Sequence, residues 1–528
     1  MGSKINARNL RVALVGMMDG GQGPLSPRRS NMLGVALLKT FCDARPELSG
    51  SPEITVLDES TSIKPAALAR KILRRNPDVA GFSLRECNYR LSAKTAKLLR
   101  AKKPCIKIVL GGYEAWARTE EMLRMFDADC AVAGEGELAF AELLLAWKEG
   151  RTAQGIPGTA CLKNGKTVFG PPRDPMNLEE GVSPYICGFY PTRDIPYDFM
   201  TLETSRGCTN NCTWCSWPHT NRVRLFPLEK VEKEIAFVCS LPEHCAVAFA
   251  DSNIFLSPER AAGILRAIHR YDPEQKRQWW LNSYLGHITP EIAKLCNHRR
   301  FEIACGVETT NSAVLKANHR YHNPEAEARG AKLLARYAPD AYVCAQMICG
   351  LPGDTLAGLC RSIDDVFRMG FSYMLFFQLH VLPGTYLYKN AGTLGIKFAQ
   401  ESPFGILEAP GFPAKDMRRA HYVIHTVAAL MKDARCREAL LSHALAGGSI
   451  SSAALALSTE FSRAGFTLAS IFSMKPPALQ LTPLDDTTVG RLPAKLDDII
   501  TCWRKTLLRG PDTSKTGCHA LRPAKNSR

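Results

Sequence analysis

Three cysteines, Cys208, Cys212 and Cys215, stand at C-x3-C-x2-C spacing directly after the apolar run Phe199 to Leu202. That run reads as a buried strand, so the thiols share one short loop at its carboxyl end. Three thiolates so placed can hold three irons of a [4Fe–4S] cluster. An electron-transfer cluster takes four cysteines, so a triplet leaves the fourth iron open to a small molecule. Zinc would need a fourth Cys or His at ligand spacing. His219 is the near candidate, and it follows Pro218 in a loop-like stretch. Unrelated core cysteines are the third alternative.

What surrounds the loop narrows the fold. Residues 1–150 alternate strand and helix patterns. Strands are expected at Arg11 to Gly16, Glu53 to Leu57, Val79 to Leu84, Ile106 to Leu110 and Cys130 to Ala133. Helices are expected at Ser30 to Ala44, Pro65 to Arg75, Ser92 to Lys102, Glu120 to Phe126 and from Glu137 to Lys148. Short connections between such elements predict a parallel, doubly wound sheet with helices on both faces. Its ligand belongs at the carboxyl ends of the strands. Gly16, Gly20, Gly21, Gly111, Gly112, Gly134 and Gly136 fall at those ends. The dinucleotide fingerprint G-x-G-x-x-G is absent after the first strand.

Residues 151–196 read as a linker with a small hairpin, Thr159 to Leu162 and Thr167 to Phe169, turning at Asn164-Gly165. The proline-rich stretch Pro171 to Tyr197 is expected to lie over the surface. In residues 197–395 six strand patterns recur, at Phe199 to Glu203, Ala246 to Ala250, Trp279 to Tyr284, Glu302 to Val307, Tyr342 to Gly350 and Tyr373 to Leu382. Helical patterns separate them, so a partial (β/α)6 barrel is expected, active at its strand carboxyl ends. Of the adjacent Trp279 and Trp280, only one can face inward. Cys305, Cys344 and Cys349 read as core. Residues 396–528 form a mostly helical region, with helix expected at Asp416 to Asp433, Leu440 to Leu445, Ala453 to Phe461 and Leu496 to Leu507.

The cysteine triplet, with Trp214 before its third member, resembles the signature of the radical S-adenosylmethionine (SAM) superfamily. The resemblance implies that SAM chelates the open iron. It also implies SAM contacts at the strand ends: Asp251 and Asn253 after the second, Ser283 after the third, Glu308 in G-V-E-T after the fourth, and Gly350 and Gly353 in G-L-P-G-D-T after the fifth. Asp354 replaces the family's glutamate there. His380, at the end of the sixth strand, is a candidate proton acceptor.

The first domain resembles the cobalamin-binding domain that precedes many radical SAM barrels. Ser83, I-V-L-G-G followed by Glu114, and A-G-E-G-E carry the likeness. It implies cobalamin contacts from Gly16, Ser83, Arg85, Gly111, Gly112, Glu114, Gly134, Glu135 and Gly136. The D-x-H-x-x-G loop of methionine-synthase-type domains is missing, and the first histidine of the chain is His219. The resemblance to the radical SAM subgroup implies base-off cobalamin, without a histidine ligand from this domain. Arg85 and Asn88 are candidates for its lower face, where a guanidinium would not ligate cobalt.

The function implied is methylation of an unactivated carbon or phosphorus of a small molecule, with a low-potential flavodoxin- or ferredoxin-type electron donor. Radical chemistry without methyl transfer is the alternative. An RNA methylthiotransferase would need a second cysteine triplet in the first domain. The net charge of +16 raises nucleic acid as a partner. No RNA-binding motif accompanies it, and the basic residues Arg504, Lys505, Arg509, Lys515, Arg522, Lys525 and Arg528 read as a solvated tail. Nineteen scattered cysteines, no signal-like apolar segment and no long apolar run imply the reducing cytoplasm and no membrane span.

Overall fold

The computed structural model describes residues 9–17, 30–217, 222–321, 323–431 and 434–463. Gly20, Gly21, His219, the expected helix Leu496 to Leu507 and the basic tail lie outside them.

The first sheet contains β1 (Arg11–Met17), β2 (Glu53–Glu59), β3 (Val79–Ser83), β4 (Lys107–Gly111), β5 (Cys130–Val132), β6 (Thr159–Lys163) and β7 (Lys166–Phe169). Their order is β2-β1-β3-β4-β5-β6-β7. The first five are parallel, and the hairpin β6-β7 extends the sheet in antiparallel pairing. The hairpin is thus part of the first sheet, which is mixed rather than wholly parallel. The chain reverses its winding between β1 and β3, where such sheets open a crevice for ligands. Side chains of β1 alternate between two cores. Val12 and Leu14 face α1 (Leu33–Asp43), and Ala13, Val15 and Met17 face the opposite layer. That layer holds α2 (Pro65–Leu73), α3 (Tyr89–Lys102), the short α4 (Tyr113–Ala117) and α5 (Thr119–Phe126), while α6 (Glu137–Lys148) packs beside α1.

The second sheet has six parallel strands in chain order: β8 (Phe199–Leu202), β11 (Ala246–Phe249), β12 (Trp279–Ser283), β13 (Phe301–Glu308), β14 (Tyr342–Cys349) and β15 (Tyr373–Gln378). A two-residue ladder, β9 (Ser205–Arg206) with β10 (Arg224–Leu225), brackets the cysteine loop. The crossover helices are α7 (Leu228–Cys239), α8 (Pro258–Tyr271), α9 (Pro290–Leu295), α10 (Ser312–Ala317), α11 (Pro324–Tyr337) and α12 (Leu356–Arg368). Trp279 is wholly buried against Phe249, while Trp280 is half-buried. Cys305, Cys344 and Cys349 are core residues. After α13 (Tyr386–Asn390), the pair β16 (Lys397–Phe398) and β17 (Ile406–Glu408) leads to α14 (Ala414–Leu430), α15 (Ala434–Leu445) and α16 (Ile450–Arg463). Helix α14 covers the edge of the barrel beside β14 and β15. No helix among the described residues is long and apolar enough to cross a membrane.

The segment before β8 is not a surface strap. Tyr185 and Tyr190 are buried and stacked at 5.1 Å, and both hydroxyls accept from the Asn31 amide at 3.0 Å. Asn31 in turn accepts the Thr201 N–H at 2.8 Å, and its own N–H donates to the Phe199 carbonyl at 3.2 Å. Aromatic rings scattered among prolines have no period, so their inward direction was not visible in the pattern. Here they fasten the first domain to the first barrel strand, and one apolar core runs from the α1 side of the first sheet into the barrel.

Candidate active site

The cysteine loop is held from three sides. Asp251, at the exit of β11, is buried and accepts from the Thr204 N–H at 3.0 Å, the Thr204 hydroxyl at 2.6 Å and the Ser205 hydroxyl. Burial raises its pKa, and the hydrogen bonds from Ser205 and Thr204 oppose that. The Ser252 hydroxyl donates to the Gly207 carbonyl at 2.9 Å. Further on, Asn318 accepts from the Thr213 hydroxyl at 3.0 Å and donates to the Pro352 carbonyl at 2.9 Å, so it joins the cysteine loop to the G-L-P-G-D turn. Asp251 is therefore spent on the loop itself rather than open to a ligand. Asn253 is spent likewise: its carbonyl oxygen accepts the N–H groups of Phe255 and Tyr284, and its amide meets His287 Nδ1 at 3.0 Å. The Ser283 hydroxyl donates to the Ala304 carbonyl at 3.1 Å.

The pKa values of Cys212 and Cys215 are both raised, with Cys208 a lesser cause at each and Cys212 a further one at Cys215. Burial is the larger cause in both and pushes Cys215 up to about 12. The Arg320 guanidinium, 3.9 Å from Cys212 Sγ, opposes the rise at Cys212. Arg320 also donates to the Gly306 carbonyl and lies 3.8 Å from Glu308. Glu308 sits at a bulge closing β13 with φ of 64°, a left-handed conformation that costs a non-glycine residue energy and clusters at functional sites. A Cβ on Gly306 would come within 2.7 Å of Glu308 Oε1 and 3.0 Å of Arg320 Nη2, so glycine there makes room for the pair. Burial raises the pKa of Glu308 and Arg320 opposes the rise. Trp214 is half-buried against the main core. Gly350 and Gly353 both adopt positive φ in the turn after β14. Among the described residues no three His, Cys, Asp or Glu side chains converge on one point as a ready single-metal site. Three neighbouring thiols on one loop remain a donor set suited to one thiolate on each of three irons.

The first domain turns the carboxyl ends of its strands to this loop. A Cβ built on Gly111 or Gly134 meets nothing within 4 Å, so both edge an open ledge; on Gly16 it would strike Met32, and on Gly136 it would press on Leu38. Glu114 is wholly buried, ion-paired to Arg118, and its Oε1 has no hydrogen-bond partner. The open space at Gly111 and Gly134 suits a large cofactor at the carboxyl ends of the strands. Ser83 ends β3 and its carbonyl accepts from the Asn88 amide at 3.0 Å. Asn88 is fully buried and also donates to the Met17 carbonyl, so it stitches β1 to β3 and is not a face toward a ligand. Arg85 is exposed. Glu135 points instead at the barrel, paired with Arg206 and Arg224.

The two domains share one cavity. Tyr113 and Trp116 of α4, Asn211, Cys212, Cys215, Ser216 and Trp217 of the cysteine loop, and Gly384 to Tyr386 at the start of α13 line it. The Tyr113 hydroxyl donates to the Pro383 carbonyl, and burial raises its pKa. His380 is half-buried beside the same junction; burial lowers its pKa and Glu86 of the first domain opposes this. His380 does not line the cavity itself. Arg320, Asn318, Tyr113 and Trp116 were not legible as site residues, because each owes its place to tertiary packing rather than to spacing.

Family models agree with this division. The B12 binding domain model matches residues 33–144 and the Radical SAM superfamily model matches residues 202–366. An uncharacterized methyltransferase of Pyrococcus horikoshii is 25% identical over 333 residues, covering 61% of this chain and 71% of its own length. The cobalamin-dependent radical SAM methyltransferase TokK of Streptomyces tokunonensis is 26% identical over 380 residues, covering 66% of this chain. The match spans about half of TokK, 54% of its length. The fold is that of the radical SAM methyltransferase TsrM of Kitasatospora setae with cobalamin and a [4Fe–4S] cluster bound: TM-score 0.61, 18% identity, 76% of this chain and 79% of that one. The chain thus carries a B12-binding domain ahead of a radical SAM domain.

Proposed function

We propose that this chain is a cobalamin-dependent radical SAM methyltransferase acting on an unactivated carbon, or a phosphorus, of a small molecule. The observation that carries the reading is the shared cavity, which has Tyr113 and Trp116 of the B12-binding domain on one wall and Cys212 and Cys215 on the other. When bound, the cluster with SAM supplies a 5′-deoxyadenosyl radical and cobalamin supplies a methyl carrier. A substrate held between the walls is within reach of both.

The chain's own residues then have these roles. Cys208, Cys212 and Cys215 hold three irons. Arg320 places a positive charge beside Cys212 and orients Glu308 toward the amino-acid end of SAM. The turn from Gly350 to Gly353 edges the adenine side. Gly111 and Gly134 would leave room for the corrin of a base-off cobalamin, and residues 1–150 contain no histidine to ligate it. Exposed Arg85, just past β3, would lie beside the cofactor and could not ligate cobalt. His380, kept neutral by burial, is placed to accept a proton at the domain junction. Asp251 and Asn253 serve by shaping the loops. The reductant is a low-potential flavodoxin- or ferredoxin-type protein, and the compartment is the cytoplasm.

The test needs no known substrate. Protein loaded with both cofactors under anaerobic conditions is given methyl-deuterated SAM and a reductant. Label appearing on cobalamin, with S-adenosylhomocysteine and 5′-deoxyadenosine both formed, is the expected result. 5′-Deoxyadenosine with no label on bound cobalamin would shift the reading to radical chemistry without methyl transfer.

A further inference from the structure

The A-G-E-G-E segment ends in two carboxylates that the first sheet does not use. Glu135 and Glu137 reach across to the barrel and meet one guanidinium. Arg206 Nη1 lies 3.3 Å from Glu135 and Nη2 lies 2.7 Å from Glu137. The same guanidinium also grips Glu203 through Nε at 3.1 Å and Nη2 at 3.0 Å. Arg224, the antiparallel partner of Arg206, takes Glu135 as well and donates to the Met176 carbonyl at 2.7 Å. Only 11% of the Arg206 side chain and 7% of the Glu137 side chain is exposed, so solvent screens this network weakly. Two arginines face three carboxylates, and every edge of the Arg206 fork is occupied.

Its position gives the network meaning. Arg206 stands two residues before Cys208, with Gly207 between them at φ of 104°. Glu135 stands between Gly134, which edges the ledge of the first domain, and Gly136. We propose that Arg206 is a positioning residue that ties the cysteine loop to the cobalamin ledge, so that loading the cluster site tightens cobalamin binding, and the reverse. The inference rests on the reading that both cofactors are held by this chain. Linkage makes the effect reciprocal, and a coupling of about fivefold or more is of ordinary size for two linked sites. A planar fork shared by three carboxylates cannot follow a shift of either loop without losing bonds. An order in one loop is therefore felt in the other.

The test measures hydroxocobalamin affinity by anaerobic equilibrium dialysis, with the cluster absent and with it reconstituted. It uses the full chain as wild type, Arg206→Gln, Glu135→Gln and Arg224→Gln. The expected result is binding at least about fivefold tighter to wild type when the cluster is present. That ratio falls toward one in each variant. Should Arg206→Gln not fold, the Glu135→Gln and Arg224→Gln pair decides, since Glu135→Gln leaves Arg206 its Glu137 and Glu203 partners and Arg224→Gln leaves the Arg206 fork itself in place. An equal ratio in wild type and the folded variants would overturn the inference, as would a wild-type ratio of one. Cobalamin binding to neither form would overturn the cofactor reading with it.

Discussion

Replacing Gly384 with alanine tests whether the two domains are built to touch at the cavity. Gly384 has φ of 84°, and a Cβ there would lie 2.9 Å from Ala117 Cβ and 3.2 Å from Ala117 Cα. Two costs follow. The left-handed backbone costs an L-residue about 1–2 kcal/mol. Forcing a methyl into the packed face of α4 costs about 1–3 kcal/mol more, because backbone and not a flexible tip must move. Gly353 supplies the control, since its φ is 86° but a Cβ there meets nothing within 4 Å. Gly353→Ala pays the first cost alone. With about 2–4 °C of melting temperature per kcal/mol for a unit of this size, Gly384→Ala should melt about 2–12 °C below Gly353→Ala. Differential scanning calorimetry of the cofactor-free proteins reads the difference. Equal melting temperatures would mean that α4 and the loop before α13 do not pack as described.

Four further outcomes follow from the site. Gly306→Ala displaces only the tips of Glu308 and Arg320, so its melting temperature should stay within about 3 °C of wild type while SAM binding, read by isothermal titration on the reconstituted protein, weakens at least tenfold; unchanged SAM affinity would remove Glu308 and Arg320 from the site. Cys212→Ala should abolish 5′-deoxyadenosine formation yet retain cobalamin, and any residual 5′-deoxyadenosine above background would refute the cluster assignment. Asp251→Ala strands the Thr204 and Ser205 hydroxyls, each at a cost of about 1–3 kcal/mol, and should lower both melting temperature and iron content; iron content equal to wild type would show that Asp251 does not shape the loop. Burial lowers the His380 pKa in the fold, so the unfolded chain takes up the proton first as pH falls through about 6.5, and this residue subtracts stability on acidification. The loss in melting temperature between pH 7.5 and 5.5 should be smaller in His380→Gln than in wild type, and equal losses would contradict a depressed pKa.

Most of the architecture was legible because parallel α/β folds repeat a strong local pattern. β3 came out one residue shorter than its apolar run, and β13 one residue longer at each end, as strand limits do when hydrogen bonding rather than hydropathy sets them. Three short helices were not legible. Residues of α4, α10 and α13 are too few to show a period, yet α4 supplies Tyr113 and Trp116, Asn318 and Arg320 follow α10, and α13 begins with Tyr386 of the cavity. The tyrosines before β8 were hidden among prolines for the same reason. At the site, the cysteines and the glycines declared themselves through chemistry and backbone need. Asp251, Asn253 and Glu135 did not, because a carboxylate or amide at a strand end reads the same whether it grips a ligand or the neighbouring loop. Only the hydrogen-bond partners distinguish the two.

If a radical-generating cluster and cobalamin face one another across a single cavity, one chain must hold both at once. Anaerobic purification, a visible spectrum, and iron and cobalamin assays on one sample test it most directly. About four irons and one cobalamin per chain are expected. Four irons with no cobalamin, even after cobalamin is added in excess, would contradict it.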